Sequence, residues 1–462
     1  MGLPSLETTP IPGLVVLRLD LREDARGWFK ENWQREKMVA LGLPDFGPVQ
    51  NNMSFNATRG TTRGIHTEPW DKFVSVANGR AFGAWVDMRE GDSFGAVHTV
   101  ELDPATAVFV PRGVGNSYQT LEDGVTYSYL VNEHWRPATA YPALDLADPT
   151  AAIPWPIPLA EAEISDKDLA NPRLDAVTPM PPKKTLIIGC RGQLGRALQV
   201  DFPGSDLVDL DELDVTDAEA VAAWPWHEYA LVLNAAAYTA VDAAETPDGR
   251  RTAWAANAGA PATLAGLSRE HGFTLVHYSS EYVFDGTADE HTEDEPVSPL
   301  GVYAQSKAAG DIAVATAPRH YLLRTSWVIG DGNNFVRTMK TLADKGVSPS
   351  VVGDQTGRLT FTAELSRATR HLLDTGAEHG TYNLSNGGAV MSWAEIAQAV
   401  YRLAGRDASD VTATTTAAYF ADKPEASPRP LNSAMSLAKI QATGFVPEDA
   451  MVALERYVSA AG

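Results

Sequence analysis

A chain of 462 residues exceeds what one hydrophobic core usually serves, and 44% hydrophobic with 21% charged residues is a globular composition, so two or three folded domains are expected and extensive disorder is not. The formal charge of -22, with no compensating basic stripe, would repel a phosphate backbone and argues against a nucleic-acid partner. A single cysteine, Cys190, excludes an internal disulfide or a Cys-rich zinc site and fits a cytoplasmic location.

In chain order, the opening "MGLPSLETTPIPG" lacks a basic segment before an apolar core, and no apolar run approaches the ~20 residues of a membrane span, so neither export nor membrane insertion is expected. Up to about residue 160, short strand-like runs such as "LVVLRLDL", "KFVSVANG", "TAVFVPRG" and "VTYSYLV" are broken by Gly, Pro, Asn and Asp. This predicts an all-β barrel or sandwich with one early helix at "FKENWQREKMVALG". "DAVTPMPPKK" carries three prolines and predicts an extended, poorly packed connector. From residue 184 apolar strands alternate with helices, the mark of a doubly wound α/β domain with a parallel sheet covered on both faces. The expected domains are residues 1–175 and 184–462, joined by a linker over 176–183.

In the second domain Gly189, Gly192 and Gly195 follow the first strand and open the first helix, where glycine allows a tight turn and helix N–H groups can meet a pyrophosphate. About twenty positions on, Asp209 or Asp211 in "LVDLDELDVTD" can accept from an adenosine ribose, which leans slightly towards NADH over NADPH. Tyr303 and Lys307 share a helix face; an ammonium near a phenol lowers the phenol pKa and suits it to proton transfer. In that arrangement Tyr303 protonates a carbonyl oxygen as hydride reaches its carbon, Lys307 also holds the nicotinamide ribose, and Ser280 hydrogen-bonds the carbonyl. In the first domain Arg63, His66 and Lys72 fall in one short section: a histidine can take a proton activated by a carbonyl and a lysine can stabilise the enolate oxygen. His66, Glu68 and His98 form a rival metal set, but without a His-x-His pair no metal is expected.

The motifs "GCRGQLG", "NAAAYTAVDAAE", "YVFDG", "YAQSKAAGD", "RTSWVIGDGNNFV", "VVGDQTGRLT" and "RPLNS" make the second domain resemble the dTDP-4-dehydrorhamnose reductases, which are Rossmann-type extended short-chain dehydrogenases. The resemblance implies Ser280, Tyr303 and Lys307 as catalytic residues. It places Gly189, Gly192, Gln193, Leu194, Gly195, Asp209, Asp214, Asn234, Ala235, Ala236 and Tyr238 along NADPH or NADH. Trp327, Asn334 and Arg429 fall near the nucleotide-sugar. Ser280 and Glu281 depart from the family's usual Thr-Asp. Magnesium at a subunit contact is known in this family, and no motif here establishes it.

The motifs "ARGWFKENW", "VQNNMS", "TRGIH", "VDMREGDSFG", "LADPTAAIPWP" and "ISDKDLANP" make the first domain similar to the dTDP-4-dehydrorhamnose 3,5-epimerases, which are cupin-like jelly rolls. By that resemblance His66 is the base, Asp148 orients it, Tyr129 protonates from the opposite face and Lys72 supports the enolate; Tyr127 is a two-residue slip from Tyr129. Arg26, Glu31, Gln50, Asn52, Arg63 and Asn116 would hold the nucleotide-sugar, and a homodimer through the β domain is implied. Glu68 stands where glutamine is common, Asn116 where histidine is, and "TEPWD" is short for the family. Together the two resemblances imply a bifunctional enzyme of dTDP-L-rhamnose biosynthesis acting on a dTDP-deoxysugar. The alternatives are a non-catalytic β dimerisation or nucleotide-binding domain beside the reductase, or the same chemistry on another nucleotide deoxysugar.

Overall fold

The computed structural model describes residues 5–135, 141–423 and 425–460; residues 1–4, on which part of the no-export expectation rests, lie outside them. The chain divides into two units, Met1–Pro182 and Lys183–Gly462.

The first unit runs β1 (Ser5–Thr8), β2 (Val15–Arg18), β3 (Leu21–Asp24), β4 (Gly27–Lys30), α1 (Arg35–Ala40), β5 (Gln50–Asn56), β6 (Thr62–His66), β7 (Lys72–Asn78), β8 (Ala81–Asp87), β9 (Val97–Leu102), β10 (Thr106–Val110), β11 (Val114–Thr120), β12 (Val125–Val131) and α2 (Asp166–Leu169). Its strands form two antiparallel sheets, ordered β1-β2-β10-β7-β12-β5 and β6-β11-β8-β9. Val74, Val76 and Val108 of one meet Trp85, Leu102 and Tyr118 of the other in a shared core. The alternate residues Phe73, Ala107 and Phe109 pack on the opposite face with Leu17, Met38 and Phe46. Strands β7 and β10 are thus buried on both faces, which is why "KFVSV" shows no polar alternation.

Two local expectations change. The early helix is confined to α1, because the Gln34 side chain caps it at the Lys37 N–H while Phe29 and Lys30 pair with Arg22 and Leu21 in a β3–β4 hairpin. The connector is not poorly packed at its middle: Met180 donates from N–H to the Met88 carbonyl, accepts from the Glu90 N–H, and buries its side chain. Apolar contact there outweighs the extended bias of the prolines.

The second unit runs β13 (Lys184–Ile188), α3 (Gln193–Asp201), β14 (Asp206–Val208), α4 (Ala218–Ala223), β15 (Tyr229–Asn234), α5 (Pro247–Trp254), α6 (Ala260–His271), β16 (Thr274–Ser280), α7 (Val302–Val314) and β17 (His320–Thr325), then reaches a sixth sheet strand at Gly380–Leu384. The parallel sheet has the order β14-β13-β15-β16-β17 with Gly380–Leu384 outermost. Leu186, Ile188, Val232 and Leu275 pack on one face, and Ile187, Leu233, Val276 and Leu323 on the other. Strand order reverses at β13, so the crevice at the ends of β13 and β15 is the switch point where an open α/β sheet takes its ligand. A third core, built on Val336, Ile396, Val400 and Leu454, belongs to the later helices.

One buried ion pair braces α7 against β17. Arg324 donates from Nε to Asp311 Oδ2 at 2.9 Å and from Nη1 to the Glu293 carbonyl at 3.1 Å. Both side chains are buried, so Arg324→Leu should strand an uncompensated carboxylate and cost about 3–5 kcal/mol, measured from the denaturant midpoint of this unit.

Candidate active sites

In the β unit His66 closes β6, where its Nε2 lies 2.8 Å from Asp168 Oδ1. Asp168 sits on α2, whose N-cap Ser165 accepts from the Asp168 N–H, and its second oxygen accepts from the Gly64 N–H at 3.4 Å. Burial pushes the Asp168 carboxyl up, but the His66 contact and these N–H groups outweigh it and hold the group below its ordinary value. An ionised carboxylate only accepts, so the imidazole proton lies on Nε2 and Nδ1 is left with a lone pair.

The assignment of Asp148 to this role is corrected. Its Oδ1 accepts from the Thr150 and Ala151 N–H groups and its Oδ2 from Leu174 N–H, each at 2.8 Å. Asp148 is therefore spent on fastening two turns, and Asp168 is the carboxylate on His66.

Lys72 opens β7 and is buried, its ammonium in contact with the Glu68 carboxylate and 5.8 Å from the centre of the Tyr129 ring. Burial pushes the Lys72 ammonium down to about 7, against which the Glu68 contact works. Strand register sets Val131 opposite both Lys72 and Gln50, and Tyr129 opposite Asn52. Tyr129, Gln50, Asn52, Glu68, Trp70 and Trp135 line a cavity of about 230 Å³. Tyr141, which sequence reasoning missed, packs edge-on against both His66 and Trp70, with ring centres 6.3 Å apart in each case, and so links the His66–Asp168 pair to this cavity.

Tyr127 is not interchangeable with Tyr129: it is buried in the core and donates to Asn116 Oδ1 at 2.9 Å. Asn116 Oδ1 also accepts from Trp85 Nε1, so its carbonyl end is held by two core side chains. Arg63 is exposed and donates to Asn56. Arg26, 88% exposed, pairs with Asp24 in the hairpin, and Glu31 pairs with Lys37.

In the α/β unit Gly189 has φ +76°, and a Cβ there would lie 2.7 Å from the Ala236 nitrogen; one at Gly195 would strike the Gly189 carbonyl oxygen. Only glycine lets β13, α3 and the end of β15 approach this closely. Asn234 supports that end by accepting from Ala236 N–H, while its amide contacts buried His277. Ala235 and Leu194 pack on the sheet, and Gln193 donates to the Asn333 carbonyl. Asp209 accepts from the Arg191 N–H, and the Arg191 guanidinium pairs with Asp211 and Glu212. A cation thus stands among the acids expected to disfavour a 2′-phosphate. Asp214 is occupied by the Thr216 N–H and hydroxyl. Asn257, missed from sequence, exchanges hydrogen bonds with the Tyr238 backbone and donates to Ser306, tying this rim to α7.

Ser280 ends β16, and Tyr303 and Lys307 share a face of α7. The expected lowering of the Tyr303 pKa by Lys307 is corrected. The Lys307 ammonium donates to the Tyr278 carbonyl at 2.7 Å, and burial pushes it down to about 8. Tyr303 is instead raised by burial first, then by Glu281 and Tyr282, with the Ser280 hydroxyl opposing. Asn334 caps the helix Phe335–Asp344 and gives its amide hydrogens to Gly330, Gly332 and Tyr457, so it too is used by the fold. Trp327 stacks on Trp393 at 3.8 Å and is 9% exposed. Arg429 is placed differently: paired with Asp242 and lying over Phe420, it lines a cleft of about 620 Å³ with Tyr419 and Lys423. Among the described residues, no three His, Cys, Asp or Glu side chains are grouped to hold a metal.

A jelly-roll unit with a His–Asp pair and an enclosed lysine, followed by a dinucleotide-type sheet with a glycine cradle and a Ser, Tyr and Lys set, defines a two-part enzyme: a proton-transfer unit joined to a short-chain-dehydrogenase-type oxidoreductase. Residues 183–461 match the family model described as RmlD substrate binding domain, and the chain belongs to that family; residues 8–176 match the model for dTDP-4-dehydrorhamnose 3,5-epimerase. Over 186 residues the chain is 46% identical to a "Protein RmlC homolog" of Streptococcus pyogenes, covering 38% of this chain and 92% of that one. Over 273 residues it is 40% identical to a probable dTDP-4,6-dihydroxy-2-methyloxan-3-one 4-ketoreductase of Streptomyces antibioticus, covering 57% and 90%. A dTDP-4-dehydrorhamnose reductase structure from Clostridium acetobutylicum is similar at 34% identity and TM-score 0.55, covering 60% of this chain and 99% of that one. Another from Bacillus anthracis, in complex with NADP, is similar at 29% identity and TM-score 0.56, covering 61% and 100%.

Proposed function

We propose that the chain carries out two consecutive steps of dTDP-L-rhamnose formation: 3,5-epimerisation of dTDP-4-dehydro-6-deoxy-D-glucose in the β unit, then reduction of the C4 ketone in the α/β unit. The observation that carries this reading is the fusion of the two family matches, each with a polar group suited to its step.

For epimerisation, His66 Nδ1 takes the proton beside the ketone while Asp168 holds the imidazole and stabilises its charged form. Lys72 faces the enolate oxygen and Tyr129 returns a proton from the other side. Because burial sets Lys72 at about 7, its ammonium form and its help to the enolate are lost as pH rises through that value.

For reduction, the glycine cradle at Gly189 and Gly195 and the Asn234–Ala236 turn fit a nicotinamide dinucleotide, which supplies hydride when bound. Tyr303 gives its proton to the ketone oxygen, Ser280 orients that oxygen, and Lys307 holds the ribose. Arg191 beside Asp209 supports NADPH use, as does the NADP complex of the Bacillus anthracis relative.

Dimerisation through the β unit is supported by Met53 and Phe55, 67% and 66% exposed on edge strand β5, with Phe29 of the hairpin 65% exposed. No helix among the described residues is long and apolar enough to cross a membrane, which is compatible with a cytoplasmic enzyme. The Streptomyces antibioticus ketoreductase similarity favours a second reading, the same chemistry on another dTDP-deoxysugar.

Product analysis tests both. With the ketosugar in D₂O, deuterium should enter C3 and C5 without NADPH, and dTDP-L-rhamnose should form when it is added. Deuterium-free substrate from folded protein would remove the epimerase half of the reading; a reduced sugar of other configuration would select the second reading.

A further inference from the structure

Glu281 stands beside the reacting tyrosine with only 3% of its surface exposed. The groups hydrogen-bonded to its carboxyl are uncharged: the Ser280 hydroxyl at 2.9 Å, the Ser433 hydroxyl and backbone N–H groups of its own turn. Burial outweighs these contacts and pushes the carboxyl up to about 7. The groups facing it are the Tyr303 phenol from α7 and the Tyr282 phenol from its own turn. Nearby charges are directed elsewhere: Arg429 to Asp242 and Tyr282, Lys307 to the Tyr278 carbonyl, and Asp311 to Arg324.

A serine hydroxyl has one proton and two lone pairs. One lone pair of Ser280 already accepts from the Tyr282 N–H at 3.2 Å, and the Tyr303 phenol is a further hydrogen-bonding neighbour that competes with Glu281 for the same hydroxyl. If Glu281 is a carboxylate, it takes the serine proton, as the 2.9 Å contact has it, and Ser280 has none left for a ketone. If Glu281 is a carboxylic acid, it donates into the second lone pair and frees that proton to point at the ketone oxygen alongside Tyr303.

We propose that Glu281 is a positioning residue for ketone reduction, turning the single Ser280 proton towards the substrate oxygen when it is an acid and away when it is a carboxylate. The inference rests on the reading of the α/β unit as a ketone reductase. A carboxylate at Glu281 also raises Tyr303 and weakens it as a donor, so both effects slow reduction in the same direction.

The test is the pH profile of single-turnover reduction of pre-epimerised dTDP-ketosugar by the full chain with NADPH. In the wild type the rate should begin to fall at neutrality, by about tenfold per pH unit, whereas Glu281→Gln, whose amide does not titrate, should be flat from about pH 6 to pH 7.5 and decline only where Lys307 loses its charge at about 8. Ser280→Ala should be slower throughout and decline less steeply than the wild type around neutrality, keeping only the direct effect of the Glu281 carboxylate on Tyr303. A decline around neutrality in Glu281→Gln, the full wild-type decline in Ser280→Ala, or none in the wild type overturns the proposal. Infrared difference spectra provide a readout free of substrate: a protonated-carboxyl band present at about pH 6, lost by about pH 8.5 and missing from Glu281→Gln at both. Absence of that band in the wild type defeats the inference whatever the substrate, while a titrating band in a chain that reduces no dTDP-ketosugar defeats only the functional reading.

Discussion

Asp168→Asn is expected to lower solvent-deuterium exchange at C3 and C5 by about 10³–10⁴-fold, while leaving reduction of pre-epimerised substrate within about threefold. The Asp168 carboxylate can only accept, which fixes the proton on Nε2 of His66 and keeps Nδ1 basic. An asparagine amide can donate to Nε2 and drive the proton to Nδ1, giving the wrong tautomer, and it lacks the charge that steadies the imidazolium. The size is on the scale of losing the orienting carboxylate from a hydrogen-bonded base. His66→Ala should abolish exchange outright. The discriminating control is Asp148→Asn. That carboxylate accepts from three backbone N–H groups, and replacing one oxygen by an NH₂ sets donor against donor. Its effect should be a loss of about 1–3 kcal/mol of stability, seen as a lowered melting temperature, with exchange per folded molecule little changed. Exchange lost in Asp148→Asn but kept in Asp168→Asn would reverse the assignment.

What the sequence makes legible is what local chemistry dictates. The change from short punctuated strands to apolar strands alternating with helices marks the two architectures, because burial on one or two faces leaves its period in the chain. The glycines at 189, 192 and 195 are legible for the same reason, their spacing being that of a turn into a helix. The choice between Asp148 and Asp168 is not local. Both are acids in polar stretches of sequence, and the partner of His66 lies 102 residues away, so only the folded chain brings them together. The serine cap at Ser165 is the nearest local signal, since it starts the short helix that carries Asp168. Asn116 and Asn334 show the converse: a polar residue in a family motif looks available until the groups it satisfies, Trp85 and Tyr127 or the Gly330 turn, are visible. Lys307 keeps its i, i+4 relation to Tyr303, but spacing does not show that its ammonium is drawn to the Tyr278 carbonyl.

Tyr303→Phe is expected to lower the rate of ketone reduction by about 10²–10⁴-fold and to leave deuterium exchange in the β unit unchanged. The substitution removes the phenolic proton and keeps the ring. Packing against Ala244, Ala253 and Val302, and the edge-on contact with Tyr282 at 6.0 Å, are retained, so a collapsed fold would not account for the loss. Burial and the Glu281 carboxyl raise Tyr303, which keeps it protonated at neutral pH and makes it a donor with one proton to give rather than a resident phenolate. NADPH affinity, followed by fluorescence titration, should move little, because Lys307 and the glycine cradle are untouched. A rate kept within about threefold of wild type would mean that another group protonates the ketone oxygen. The pH profile of that residual rate would then identify it: a decline above neutrality points to the Ser280–Glu281 pair, whose proton Glu281 releases or withholds, whereas a flat profile points to solvent entering the crevice.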